Sequence, residues 1–491
     1  MSQPAETTPV PVVAGIDVAT AAVRVVCVDA GGRTLATGGA PLPAPVRGPG
    51  GHSEQDARAW WPAAAAALRQ ATAALPGGGR EVVAVATSAT SGTLVLADTA
   101  GEPVAPALMY DDRRAADLNA AAQRLGAGRW RSTGLSVGPT AALGRLVWSL
   151  REAGADAART RTVLHTPDLL GWRLTGGPVA TDWSHALKTG YDPAAGEWAT
   201  EVFEALDVPP ELLPEVRAPG AEVGRVSAAA AAETGLPEGC PVRLGMTDGC
   251  AGQLATGAVR PGQFVGVLGT TYVLKGVTAE LVTDPAGSFY SHRHPDGWWL
   301  PGGASSTGGE ALADTPAERL PALDAEAAAR GPARGVSYPL RREGERFPFV
   351  SGEARGFTLG GPADEVERHR AALEGVAFLE RLALETVEGL GVRVEGPLYA
   401  AGGGSRSALW TRVRATVLGR PLQVTEGAET AVGAALLAAS GGLHPDLTSA
   451  AAAMVGKGRL VEPVAAERDA LEESYARFTG ELRARGWLTT P

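Results

Sequence analysis

The chain has 491 residues, 45% of them apolar and 20% charged, which is enough for roughly two to four domains and a sizeable core. A small single module, a collagen-like repeat and a disordered chain are excluded. Its 54 acidic residues outnumber 44 basic ones, for a net charge of −10, so it offers no broad positive field for nucleic acid or anionic lipid.

Cys27, Cys240 and Cys250 are too scattered for a disulfide framework or a CxxC metal site, which points to a reducing compartment. No basic segment followed by an apolar one marks the start for export, and the apolar runs at 63–68 and 431–439 fall short of a bilayer span. The expectation is a cytoplasmic protein.

In chain order, residues 12–16 and 23–28 read as strands joined by a tight connection at 17–22, a β-hairpin with Asp17 at its rim. Residues 53–75 read as a helix, started by Ser53-Glu54-Gln55-Asp56 and stopped by Pro76-Gly77-Gly78-Gly79. Strands follow at 82–87 and 94–97, helices at 113–125 and 142–153, and a polar, turn-rich stretch at 175–193. Residues 263–268, Gly269-Thr270-Thr271 and 272–277 again spell strand, tight turn, strand. Set beside residues 15–26, this is one device used twice, with Ala19-Thr20 in register with Gly269-Thr270, and it predicts a duplicated α/β fold with both turns across one cleft. Then come a long helix at 368–390, an apolar strand at 394–401, helices at 407–418 and 429–439 around a strand at 421–424, and an amphipathic helix at 465–487.

Several motifs could carry chemistry. Gly15-Ile16-Asp17-Val18-Ala19-Thr20 sets a carboxylate beside a hydroxyl in a turn where backbone N–H groups can converge on a phosphate, with Asp17 holding Mg²⁺ through water. Taken alone it is an ordinary polar hairpin tip. Gly269-Thr270-Thr271 repeats the device without a carboxylate, as a second phosphate clamp would. Asp248, after an apolar strand and before a helical pattern at 251–258, reads as a general base or a helix N-cap, and both roles can hold at once. Gly402-Gly403-Gly404-Ser405 lets a ligand approach the backbone closely, yet the chain has neither GxxxxGK(S/T) nor GxGxxG, so a nucleotide site here is of another kind. The Gly/Ser-rich loop at 302–309 reads by itself as a plain loop. His292 and His294 lack a third metal ligand at suitable spacing, and the pairs Trp60-Trp61 and Trp298-Trp299 read as core. Tyr110-Asp111-Asp112-Arg113-Arg114 is either a solvated helix start or the lining of a polyol site.

In their order along nearly the whole chain, these motifs resemble the FGGY carbohydrate kinases. They run from Gly15-Ile16-Asp17 and Thr20 through Glu54-Gln55-Asp56, Tyr110 to Arg114, Ala180-Thr181-Asp182-Trp183 with Lys188-Thr189-Gly190, 246–249 and 268–271 to Gly356-Phe357-Thr358 and the loop at 402–407. The resemblance implies an α/β, two-domain actin-like ATPase (ribonuclease H-like) fold with a cleft between domains, divided as 1–244 and 245–491. It implies that ATP and Mg²⁺ are the cofactors, with Asp17 and Thr20 in the first phosphate motif, Asp17 toward the metal, and Asp248 as catalytic base and sugar ligand. Gly269, Thr270 and Thr271 would form the second phosphate motif, and Gly308, Gly309, Gly402, Gly403, Gly404 and Ser405 would lie against the nucleotide. Thr90, Ser91 and Asp112 would contact the sugar. The implied partner is a small-molecule sugar, with no nucleic acid and no membrane, and a homodimer is left open.

Within the family the chain is most similar to the D-ribulose kinase branch, whose Gly-Thr-Ser-Gly turn is matched by Ala89-Thr90-Ser91-Gly92. It departs from the family pattern at Ala19-Thr20-Ala21, where Gly-Thr followed by Ser or Thr is usual, and at Ala89; an alanine forced to positive φ would cost about 1 kcal/mol or more. The Met-His pair of a xylulose kinase is Thr90-Ser91 here, which argues against xylulose. The expected activity is phosphorylation of a ketopentose, D-ribulose first, at its C5 hydroxyl. D-xylulose, L-ribulose, glycerol or a tetritol, or a catalytically weak ATP-binding regulator, are the alternatives.

Overall fold

Apolar residues along 12–18 are buried on both faces, so β1 (Val12–Val18) lies inside a sheet rather than at its edge. This is seen in a computed structural model that describes residues 10–152, 158–361 and 363–488. β1 pairs antiparallel with β2 (Ala22–Asp29), and β2 with β3 (Thr34–Pro41). On the other side β1 runs parallel to β4 (Val82–Ala89), with β5 (Glu222–Arg225) and β6 (Pro241–Thr247) completing the order β5-β6-β4-β1-β2-β3. The helix Trp60–Ala73 covers β2 and β3, while the small-residue helix Thr430–Ala439 packs on β1 and β4.

The second sheet repeats this plan. β7 (Phe264–Leu268) and β8 (Tyr272–Gly276) form the hairpin. With β9 (Tyr290–Arg293), β10 (Trp299–Ala304), β11 (Leu398–Ala401), β12 (Leu422–Val424) and β13 (Arg459–Val461), the order is β9-β10-β8-β7-β11-β12-β13. β7 is antiparallel to β8 and parallel to β11, and β11 is parallel to β12. Three antiparallel strands followed by two parallel ones thus occur twice, the duplicated actin-like plan expected from the repeated hairpin. The core beneath the second sheet joins Phe264, Leu268 and Tyr272 to Phe378 and Leu379 of the helix Glu365–Gly389 and Phe478 of the helix Arg468–Ala484.

The structure divides the chain differently from 1–244 and 245–491. One compact unit holds residues up to Gly257 together with His292–Gly297 and Glu429–Val455; the other holds Ala258–Ser291, Trp298–Ala428 and Gly456 onward. The segment at 429–455 returns to the first unit because the helix Thr430–Ala439 is apolar all round and is buried against β1.

The start of the expected helix at 53–75 is also different. His52–Gln55 is a strand and the helix begins only at Trp60. Gln55 donates to the carbonyls of Thr20 and Pro43 and accepts from the Trp60 indole, and these long-range bonds outweigh the local capping pattern. The helices at 113–125 and 142–153 appear as Ala116–Leu125 and Ala142–Glu152, with residue 153 outside the described residues.

Candidate functional site

In the first unit, pairing brings Val18 and Thr247 opposite Ala89, so β1, β4 and β6, neighbours in the sheet, end at one level. The chain leaves them as Ala19-Thr20, Thr90-Ser91 and Asp248. Open α/β sheets bind ligands at the carboxyl ends of their parallel strands, and here that edge gathers the expected first phosphate turn, the expected sugar turn and the expected base.

Asp17 is buried, 5% exposed, one pleat before the end of β1. Its cross-strand partner in the hairpin is Arg24, whose guanidinium donates to the carboxylate at 3.3 Å. Burial pushes the Asp17 pKa up, Arg24 pulls it back, and the Asp248 and Glu429 carboxylates add to the rise, leaving it at about 6. Glu429 precedes the helix Thr430–Ala439. A raised acid pKa means that the folded state binds the proton more tightly than the unfolded chain. Stability associated with that proton is therefore present below about pH 4 and lost as the pH rises through about 6. Asp17→Asn should then gain stability over the natural protein as the pH rises from 4 to 7, by at most roughly 3 kcal/mol. Urea unfolding at both pH values checks it, and a gain independent of pH would contradict the assignment.

Ala19 closes the turn by donating its N–H to the Ala22 carbonyl at 3.0 Å. Asp207 is the one non-glycine residue with positive φ among the described residues, so Ala19 carries no left-handed strain. Thr20 is half-exposed beside it. Asp248 is the first residue of the helix Asp248–Leu254, whose N-cap is Thr247, so the N-cap reading passes to the neighbour. Its carboxylate accepts the Gly249 N–H at 2.7 Å.

In the expected sugar turn the Thr90 hydroxyl pairs with that of Thr93 at 3.0 Å, while the buried Ser91 hydroxyl has no hydrogen-bond partner among the described residues. Asp112 behaves otherwise. It is fully buried and both oxygens are taken, by the Ser53 N–H at 2.6 Å and by the backbone and guanidinium of Arg114. It braces the turn at 110–114 and has no free oxygen to offer a sugar.

In the second unit the same edge is used. Val267 pairs with Ala401, so Gly269-Thr270-Thr271 and Gly402-Gly403-Gly404 leave adjacent parallel strands side by side. A cavity of about 1000 Å³ opens there, with Gly269, Thr270, Gly309, Gly403 and Gly404 on its rim and Leu312, Leu320, Ala325 and Leu409 on its apolar wall. On its rim Gly309 has no room for a side chain, since a Cβ there would lie 2.4 Å from the Gly269 carbonyl, and two glycines of the same loops are as tightly held. A Cβ on Gly308 would lie 2.4 Å from the Thr271 backbone, and Gly402, at φ +87, would drive one 2.5 Å from the Leu268 carbonyl. Asp324 and Ser407 close one side. Burial would raise the Asp324 pKa, but hydrogen bonds from His369 and Ser407 hold it below the usual carboxylate value. Ser405 departs from expectation, since its hydroxyl donates to the Ala401 carbonyl and accepts from the buried Arg414, making it part of the frame.

Among the described residues no three His, Cys, Asp or Glu side chains converge as a metal-binding group, and no helix is long and apolar enough to cross a membrane. A lone buried carboxylate with two others within electrostatic range suits a cation that keeps its water shell, as Mg²⁺ does.

Comparison with known proteins agrees with this architecture. Residues 12–255 match the N-terminal domain of the FGGY family of carbohydrate kinases and residues 262–441 its C-terminal domain. The chain belongs to this family and is a sugar phosphotransferase. It is 34% identical to a protein named xylulose kinase from Streptomyces rubiginosus, covering 96% of each chain, and 34% identical to one of the same name from Streptomyces coelicolor, again over 96% of each. The crystal structure of xylulose kinase from Rhodospirillum rubrum superposes with a TM-score of 0.86 at 28% identity, over 96% of this chain and 98% of that one. These names bear out the kinase class and do not single out ribulose.

Proposed function

We propose that this kinase transfers the γ-phosphoryl group of ATP to the C5 hydroxyl of a pentulose in the cytoplasm. The observation that carries the reading is the common end level of β1, β4 and β6, which presents Asp17, the Thr90-Ser91 turn and Asp248 at one sheet edge. Asp248 takes the C5 hydroxyl proton as the oxygen bonds to the γ-phosphorus and the bond to the β,γ-bridging oxygen breaks, releasing ADP. In the first unit Thr20 serves phosphate binding; in the second the turn at 269–271 does so beside the cavity at Gly403 and Gly404, which takes the adenosine against its apolar wall. Asp17, supported by Asp248 and Glu429, would hold a hydrated Mg²⁺, whose charge offsets that of the phosphates.

Two pentuloses have support. The hydroxyls of Thr90 and Ser91, one of them unpartnered, favour D-ribulose; the names of the relatives favour D-xylulose. An ADP-release assay with Mg-ATP against D-ribulose, D-xylulose, L-ribulose, L-xylulose, glycerol and erythritol, with a no-sugar blank, separates them. A maximum on a pentulose is expected, D-ribulose first, and activity confined to glycerol or erythritol would overturn the reading. The double variant Thr90→Met with Ser91→His should shift the ratio of kcat/KM toward D-xylulose by about tenfold or more, as the loss of one directed hydrogen bond does.

A further inference from the structure

The stretch Thr181-Asp182-Trp183-Ser184-His185 has no part in the mechanism above, yet it forms a buried polar chain between two of its pieces. Asp182, Ser184 and His185 are each at most 1% exposed. The Asp182 carboxylate caps the helix Trp183–Thr189, taking the backbone N–H groups of Ser184 and His185 at 2.8 and 3.2 Å. The same carboxylate receives the Ser184 hydroxyl at 2.5 Å and His185 Nδ1 at 2.5 Å.

Each of these side chains then reaches one step further. The Ser184 oxygen accepts the N–H of Thr247 at 2.9 Å, the residue before Asp248. That N–H needs a partner because the pairing of β6 with β4 shifts register between Leu244 and Thr247, and the Met246 N–H is likewise taken by the Ser88 hydroxyl. On the other arm, His185 Nε2 lies 3.3 Å from the carbonyl of Ala89, the residue before Thr90. A carboxylate and a carbonyl are both acceptors, so the two ring nitrogens face acceptors on both sides, which favours the doubly protonated ring. Burial works against that charge, but Asp182 holds the His185 pKa above its ordinary value.

We infer that Asp182, with Ser184 and His185 as its two arms, is a positioning device that sets Asp248 against the sugar turn at 90–92. The inference rests on the proposed roles of Asp248 and of that turn. It assigns the arms different kinetic consequences, because one holds the base and the other holds the substrate-contacting segment. Ser184→Ala removes a single oxygen and releases Thr247. It should lower kcat by about 10- to 100-fold, with the pentulose KM changed less than about twofold, since small misplacements of a reacting group act on the transition state. In His185→Asn the amide nitrogen can replace Nδ1 toward Asp182 but cannot reach Ala89. It should raise the pentulose KM about tenfold with a smaller effect on kcat. The KM for ATP should stay within about twofold in both.

The test is steady-state kinetics on both variants and Asp248→Asn, using the pentulose most active with the natural protein, beside thermal unfolding of each. Separate kcat and KM effects in the two arms support the device. A lowered melting temperature with unaltered kcat and KM, or equal losses in all three parameters, overturns it in favour of a structural role. If one variant does not fold, the other arm decides alone by the same criterion. Full activity of Asp248→Asn would instead show that the assignment of the base had failed.

Discussion

Asp248→Asn is expected to lower kcat by on the order of 10³-fold while ATP and pentulose still bind. General bases contribute about 10² to 10⁴ in rate, and an amide at this position keeps the shape of the side chain but cannot accept the hydroxyl proton. The fold should tolerate the change, because Asp248 is half-buried at the first position of its helix and is not the N-cap residue, a position held by Thr247. The local bond from the Gly249 N–H to the side-chain oxygen at 2.7 Å can be kept by an amide oxygen. Single-turnover phosphoryl transfer and calorimetric binding of the sugar, measured on the same preparation, check both halves. A kcat within tenfold of the natural value would remove Asp248 from its role.

The largest expected effect on stability lies at Arg414. It is fully buried and pairs with Glu380, equally buried, through two hydrogen bonds at 2.6 and 2.8 Å. It also donates to the Gly266 carbonyl on β7 at 3.1 Å and to the Ser405 hydroxyl at 3.2 Å. Burial opposes the Arg414 charge, but Glu380 keeps its pKa above the ordinary value. Arg414→Ala would leave the Glu380 carboxylate uncompensated in the core, which costs about 3–5 kcal/mol. The glycine loop at 402–405 would lose its anchor with it, so the KM for ATP should rise as well. Replacing both partners, Arg414→Met with Glu380→Leu, should recover much of the stability but not the loop, because an apolar pair removes the buried charge and still lacks a donor to Ser405. Denaturant midpoints and ATP kinetics on the single and double variants read the two effects separately. An unchanged midpoint in Arg414→Ala would contradict the account.

Several pieces were legible in the sequence because their signals are short-range. Strand, turn and strand at 12–28 and 263–277 came from apolar runs interrupted by turn residues, and both hairpins formed, the first with slightly longer arms and the second with arms one residue shorter. Ser407 stood at the start of an expected helix and is its N-cap, holding the Trp410 N–H at 3.0 Å. The ordered glycine loops pointed to a nucleotide site, and most of them do line one cavity.

Other pieces could not be read because their causes are distant in the chain. Ser53-Glu54-Gln55-Asp56 looks like a helix start, but Glu54 and Gln55 pair with Leu108 and Ala107 as a strand. Asp112 carries the same chemistry as Asp17, and only its neighbours show that its oxygens are spent on Ser53 and Arg114. Asp182 and His185 lie three residues apart on a short helix, which suggests a local cap; their reach to Thr247 and Ala89 depends on how β4 and β6 pair.

The amino-acid sequence by itself determined the family, the repeated hairpins and the residue types available for phosphoryl transfer, since turn chemistry and strand periodicity act over a few neighbouring residues. The tertiary structure alone decided which of those residues share an edge and which are consumed by the frame. Register between strands far apart in the chain sets the level at which Thr20, Thr90 and Asp248 emerge, and the need to cover the apolar helix Thr430–Ala439 returns it to the first sheet. Both follow from burial and backbone pairing summed over the whole molecule, which no local window of sequence contains.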